Sequence, residues 1–485
     1  VEFLSAPNLK TLELHAVLRQ GMRQAGQYGR PIVVSLSEAI SPFDAITLFE
    51  RAPALTPDRY FWAHPEEGFA LVGVGVARAI DVAEHLRFRQ ATNSWRHLLV
   101  GAILAGPRHL PGVGPVLLGG FAFDTQRPNT PLWQGYPAGH LVLPRLLFTQ
   151  TQGEHWLTYN VIVDSLTDVA DEVEALEDAR HSLLAPTLTR PHKNGSSGNG
   201  NGNGNGHGHH EQHFTQHELR SAADWQKDVA EAATAVRAEK LEKVVLARAV
   251  QLRAAHHFNP AHALRHLATR YTGCYLFAVA RGERCFLGAT PERLAQLAGG
   301  QVRTMSLAGS IRRGKTTEDD LRLGQTLLTS AKDLIEHRLV VQTMTEALSE
   351  ICIDLRLTEP PTLLKLGNIQ HLCTPITGKL LAGYTLLDLV ERLHPTPAVG
   401  GRPREAALRL IRDCENLDRG WYAGPVGWLN EHGEGEFAVA LRSALLHGAQ
   451  ATLFAGCGIV ADSDPKREYD ESRLKLKPML AALAE

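Results

Sequence analysis

Two pairs of carboxylates and two isolated groups hold most of the chemistry this sequence could perform. Asp333 and Glu336 stand three residues apart in Ala331-Lys332-Asp333-Leu334-Ile335-Glu336-His337, and Glu468 and Glu471 repeat that spacing near the end of the chain. In a helix, residues three apart share a face. Two such faces closing on each other could hold one Mg²⁺, an ion that takes one or two protein carboxylates and completes its shell with water and anionic substrate. Solvated helix faces, with Glu471 paired to Lys475 one turn on, explain the same spacing. Lys243 opens the apolar run Lys243-Val244-Val245-Leu246-Ala247-Arg248. A desolvated lysine can act as a base near neutrality, whereas a strand-end lysine merely reaches solvent. Glu292 follows Gly288-Ala289-Thr290-Pro291 at a predicted corner between strands, where a carboxyl is either a general acid or turn decoration.

Two further patterns lead away from function. Gly309-Ser310-Ile311-Arg312-Arg313-Gly314-Lys315-Thr316 fits the phosphate loop of P-loop NTPases. Its middle is bulky where backbone must wrap phosphate. Glu318-Asp319-Asp320 then places anions where the next helix should receive it. No strand ending in a magnesium-binding Asp follows. Residues 194–210 are almost wholly Gly, Asn, Ser and His, and with His192 and His213 they suggest a metal-buffering protein. His210-Glu211-Gln212-His213 lacks the second spacer residue of the helical zinc motif. The stretch cannot bury enough surface to offset its ordering entropy, so it reads as a flexible linker.

The elements that must position these groups are mixed. Strands are expected over 32–36, 70–76, 243–252, 302–307, 437–446 and 451–460. Residues 140–148 with 156–163, and 274–280 with 284–288, read as hairpins. Gly119-Gly120 marks a strand edge approached closely by other backbone. Helices are expected over 166–184, 221–239 and 319–348, the last as one helix or two, and after Asp464-Pro465. Without a regular βαβ beat, the class is α+β. The division expected is 1–190, a linker over 191–213, and 214–485.

Composition narrows the field. The 485 residues are 44% hydrophobic and 21% charged, which is ordinary for a globular protein and excludes a fibrous or disordered one. The net charge of −2 gives no argument for nucleic acid. No apolar run is long enough for a membrane helix, and no signal peptide is visible. Six cysteines without a C-x-x-C pair suggest reduced thiols and the cytoplasm. Only 12 of the 50 basic residues are Lys, so a Lys inside an apolar strand is more informative than usual.

Taken together, many segments in order resemble the chorismate-utilising enzymes, and among them the isochorismate synthases. They include Lys243 through Arg248, Phe286 through Glu292, Ala308-Gly309-Ser310 with Arg313-Gly314, and Lys332 through His337. His371-Leu372-Cys373-Thr374, His394 through Gly401, Trp421 through Gly427, Phe437 through Ser443, Gly456-Cys457-Gly458 and Ser463 through Lys475 continue the series. The first 190 residues resemble the more variable part of the same fold.

The resemblance implies two packed antiparallel β-sheets flanked by helices, and the Mg²⁺-dependent conversion of chorismate to isochorismate. Lys243 matches the base that activates water and Glu292 the acid that protonates the departing hydroxyl. Glu336 and Glu471 match the Mg²⁺ ligands, with Asp333 and Glu468 behind them through water. Arg442 and Tyr422 match the groups that hold the enolpyruvyl carboxylate. Gly456, Gly458 and Lys475 line the same site, and His371 and Thr374 lie near the ring. Gly309-Ser310 is the family's own loop, in which Thr is commoner than Ser310; this absorbs the P-loop pattern.

By the same resemblance, Lys243, Ala308 and Ala398 all favour water over ammonia as nucleophile. A salicylate synthase or an enzyme like anthranilate synthase component I is the nearest alternative. No glutamine amidotransferase subunit, nucleic acid or membrane partner is expected, and a monomer is expected.

Overall fold

The computed structural model describes residues 9–83, 86–128, 130–185 and 213–484. The His-rich segment expected to be a linker lies outside the described residues except for His213.

Burial on both faces of the strands decides the architecture. In Arg59–His64, Tyr60 and Trp62 enter one core while Phe61 and Ala63 enter another. In Tyr275–Arg281, Phe277 and Val279 turn to the first core and Leu276, Ala278 and Ala280 to the second. Strands apolar on both faces need a sheet covered on both sides. They lie in a sheet of 13 strands among the described residues, facing a second sheet of 10. One core fills the space between the sheets. The other packs the outer face of the larger sheet under helices such as Val169–Leu184, Pro260–Arg270 and Pro465–Ala484. Pairing is antiparallel except where Ile32–Ala39 runs parallel to Ile103–Ala105. This is the expected α+β fold of two packed antiparallel sheets. No helix among the described residues is long and apolar enough to cross a membrane.

The two halves of the chain interleave. Arg59–His64 pairs with Tyr275–Arg281, and Val116–Phe121 with Pro425–Asn430. An aromatic cluster ties residues of the first half to the second. Trp133 stacks on Phe454 at 5.6 Å and meets Phe286 edge-on, and its indole donates to the Asp418 carbonyl at 2.9 Å.

Several predicted elements are divided or extended. The run 140–148 is two strands, Gly139–Leu143 in the smaller sheet and Leu146–Thr151 in the larger; the second forms the hairpin with Glu154–Val163. Pro144-Arg145 makes the crossing. The run 437–446 likewise splits into Gly435–Val439 and Ser443–His447, which belong to different sheets. Apolar periodicity continues through such a crossing because both sides are buried, so sequence pattern alone does not show it. Gly119 lies inside the smaller sheet rather than at its edge, where an added Cβ would meet the His140 carbonyl oxygen. The long helical stretch is two helices, Thr317–Thr329 and Ala331–Ser349, broken at Ser330, which caps the second by accepting from the Asp333 N–H. The strand expected over 302–307 runs on to Arg312 as Gln301–Arg312. The supposed phosphate loop is therefore half strand, paired with Ile369–Leu380.

Truncating Trp133, which is 2% exposed, should be costly. Trp133→Ala is expected to lower unfolding stability by about 3–5 kcal/mol, read from denaturant midpoints at constant slope. A loss below about 1 kcal/mol would deny the cluster its role in joining the two halves.

Candidate active site

At one corner two neighbouring segments cross between the larger and the smaller sheet side by side, in opposite directions. Arg284–Thr290 continues through Pro291 and Glu292 into Arg293–Ala298. Its neighbour returns from Gly435–Val439 through Arg442 into Ser443–His447. The Val439 N–H donates to the Glu292 carbonyl, and the Ala289 N–H to that of Arg442. Arg442 takes a left-handed φ of 49°, a strained setting for a side chain. Glu292 and Arg442 both line one cleft, with about 1010 Å³ of empty space that includes its open mouth. Sheet crossing puts polar side chains inside the fold where the strand ladder is already interrupted.

The other predicted residues meet them there. Lys243 starts the strand Lys243–Ala254 and is 1% exposed, so it does not reach solvent. Its Nζ donates to Glu336 Oε1 at 2.8 Å. Gly458 faces this pair from the strand Gln450–Ile459; a Cβ there would stand 2.8 Å from Lys243 Cε. Gly309 makes a bulge with φ 74°, which lets Ser310 donate to Glu471 Oε1 at 3.0 Å. Lys475 binds Glu471 at 2.8 Å and the Gly456 carbonyl at 2.9 Å. Ala398, Tyr422 and His371 also line the cleft. Arg442 Nη2 lies 3.3 Å from His371 Nε2. Thr374 is the exception: it lies behind the wall, its Oγ1 2.8 Å from His337 Nε2, and does not line the cleft.

Burial sets the charge states. Glu292 is pushed up to about 7 by desolvation, against the pull of Lys243, Arg442 and Lys475. His371 is pushed down to about 3 by burial and by the Arg442 and Lys475 charges, so the ring is neutral. Burial lifts the Tyr422 hydroxyl to about 12 and keeps it a neutral phenol.

The four acidic residues line the same cleft. Asp333 and Glu336 project from Ala331–Ser349, and Glu468 and Glu471 from Pro465–Ala484. Burial, and then the charge of Glu471, push Glu468 up to about 7. Asp333 is raised by burial and by the charges of Glu336 and Glu471. Burial also opposes ionisation of Glu471, but Lys475 and Ser310 hold it below the usual carboxylate range. Mutual repulsion among buried carboxylates is the electrostatic setting that a divalent cation relieves. Among the described residues, no group of three or more acidic, His or Cys side chains converges closely enough to enclose a metal ion unaided. The donor set fits Mg²⁺, which needs only one or two of them directly.

Sequence reasoning missed Arg419, Phe454 and Leu441, which also line the cleft, and did not weigh Lys332 as a site residue. Arg419 is 4% exposed, fork-bonded to Glu415, and donates to the carbonyls of Val245 and Val399. Glu415 accepts from the Ala247 N–H at 2.8 Å. This pair fastens the strand of Lys243 to the loop of Ala398. Its only sequence signal was the spacing of Glu415 and Arg419 just before the Trp421 segment.

Fold and site together define an enzyme with one cleft lined by buried acidic and basic side chains. The chain matches the chorismate binding enzyme family over residues 20–484 and belongs to it. It is 38% identical over 473 residues to the salicylate biosynthesis isochorismate synthase of Pseudomonas aeruginosa, covering 97% of this chain and 94% of that protein. It is 34% identical over 468 residues to isochorismate synthase MenF of Bacillus subtilis, covering 95% and 96%. Its fold matches the structure of the menaquinone-specific isochorismate synthase MenF of Escherichia coli with a TM-score of 0.74. That match is 26% identical and covers 98% of this chain and all of the other.

A carboxyl raised by burial binds its proton more tightly in the folded state, so Glu292 costs stability as pH rises from about 4.5 to 7. Glu292→Gln should therefore be more stable than the parent at pH 8, by up to about 3 kcal/mol. The advantage should vanish below pH 4.5, as read from urea unfolding at several pH values. Equal stability at every pH would show that Glu292 titrates normally.

Proposed function

We propose that this chain is an isochorismate synthase that adds water to C2 of chorismate while the C4 hydroxyl leaves. The observation that carries this reading is a buried lysine and a buried carboxyl of raised pKa lining one cleft, with Arg442 at its wall. In this reading Lys243, as the neutral amine with one N–H still donated to Glu336, accepts a proton from water as its oxygen bonds to C2. Both ring double bonds shift, C1=C2 to C1=C6 and C5=C6 to C4=C5, the C4–O bond breaks, and Glu292 gives its proton to the departing hydroxyl. One water enters and one leaves, so substrate and product are isomers. A carboxyl near 7 keeps a proton at neutral pH, which suits a general acid.

Arg442 and the neutral Tyr422 hydroxyl are assigned to the enolpyruvyl carboxylate, where a guanidinium fork suits the ligand. Gly456 and Gly458 keep room for it, and neutral His371 donates or accepts without adding charge. Glu336 and Glu471 would hold Mg²⁺, with Asp333 and Glu468 through water. When bound, Mg²⁺ supplies the positive charge that anchors the ring carboxylate. Ala308 and Ala398 leave the nucleophile's side of the cleft without groups that recruit ammonia. The six unpaired cysteines suit a cytoplasmic enzyme, and no amidotransferase partner is needed for water.

Incubation with chorismate and Mg²⁺ should yield isochorismate without ammonia and without stoichiometric pyruvate, resolved by chromatography. Pyruvate with salicylate would make the enzyme a salicylate synthase, and an aminated product would overturn water as nucleophile. Lys243→Ala and Glu292→Gln should each lower kcat by about 10²–10⁴ while chorismate binding stays measurable. Chelation of Mg²⁺ should abolish turnover, and activity intact in EDTA would remove the carboxylate site.

A further inference from the structure

The helix Pro465–Ala484 carries Glu468, Glu471 and Lys475 on the face that lines the cleft. One residue further round stand Tyr469 and Ser472, and both are held from the opposite direction. Arg248, 2% exposed on the strand Lys243–Ala254, donates to Ser472 Oγ at 3.3 Å and to Glu218 Oε1 at 2.5 Å. The Tyr469 hydroxyl donates to that same Glu218 oxygen at 2.5 Å. The guanidinium also lies over the Tyr469 ring, 4.6 Å from its centroid. Glu218 ends the strand Phe214–Glu218 and takes no part in lining the cleft.

Residues 468 and 469, and 471 and 472, are each about 100° apart around the helix axis. Fixing the second of each pair fixes the direction of the first. We propose that Glu218, Arg248 and Tyr469 form a clamp that sets the rotation of this helix and so the affinity of its carboxylates for Mg²⁺. These are positioning residues: none reaches the reacting atoms. The same strand begins at Lys243 and passes through Arg248, so one rigid element sets both the proposed base and the metal helix. The inference rests on the Mg²⁺ reading given above.

The test is Mg²⁺ binding to the full chain without substrate, by titration calorimetry, for the parent, Glu218→Gln and Tyr469→Phe. Glu218 is part-exposed, with 28% of its side chain accessible, and Tyr469→Phe keeps the ring, so both variants should fold. Each should weaken Mg²⁺ binding about tenfold, as loss of an outer-shell partner does, while kcat at saturating Mg²⁺ stays within about twofold. A general loosening of the fold would instead lower kcat and thermal stability together and overturn the clamp. Variants that bind Mg²⁺ as tightly as the parent would also overturn it, leaving the metal reading intact. A parent chain that binds no Mg²⁺ on its own would overturn the clamp, while the metal reading would stand or fall on the chelation test.

Discussion

The structure depends on segments crossing from one sheet to the other at adjacent corners. A sheet buried on both faces offers no place for a charged side chain without a partner, because desolvation of an ionised group is expensive. The corners solve this locally. Glu292 and Arg442 occupy the turns between paired strands, where the ladder is already interrupted and the side chains open into the space between the sheets. Their neighbours on either side, Gly288 opposite Ser443 and Arg293 opposite Ala438, remain in strand pairing. The site thus inherits rigid walls from both sheets, the condition under which fixed dipoles and charges act without reorganising.

Charge in the cleft is balanced rather than excluded. Lys243 meets Glu336 and Lys475 meets Glu471, each at 2.8 Å, while Arg442 faces a neutral His371. Two carboxyls, Glu292 and Glu468, remain near neutrality in pKa because no full ion pair compensates their burial. A dianionic substrate with a divalent cation would fit this arrangement with little net change. The near-zero charge of the whole chain, which argues for no partner by itself, is thus compatible with a strongly anionic ligand.

Much of this was legible in the sequence, for physical reasons. Three-residue spacing placed Asp333 with Glu336 and Glu468 with Glu471 on helix faces, and both helices exist. The scarcity of lysine made Lys243 worth notice, and it is buried and paired. The resemblance to chorismate-utilising enzymes gathered residues that spacing could not, such as His371 and Tyr422, into one cleft. What stayed hidden depends on pairing between distant segments. The crossing at Pro144 and the split of 437–446 leave the apolar pattern unbroken. The Glu415–Arg419 pair acts through backbone groups of Val245, Ala247 and Val399, which no side-chain pattern reports. Thr374 was placed near the ring together with His371, but a strand side chain also meets the helix packed on its sheet, here Ala331–Ser349. There it meets His337.

The central claim is that this cleft adds an oxygen from water at C2 and expels the one at C4. Turnover of chorismate in H₂¹⁸O, followed by mass spectrometry with fragment assignment, tests it directly. The account predicts one ¹⁸O in isochorismate, located in the C2 hydroxyl. Unlabelled isochorismate, with the oxygen moved within the ring, would contradict it.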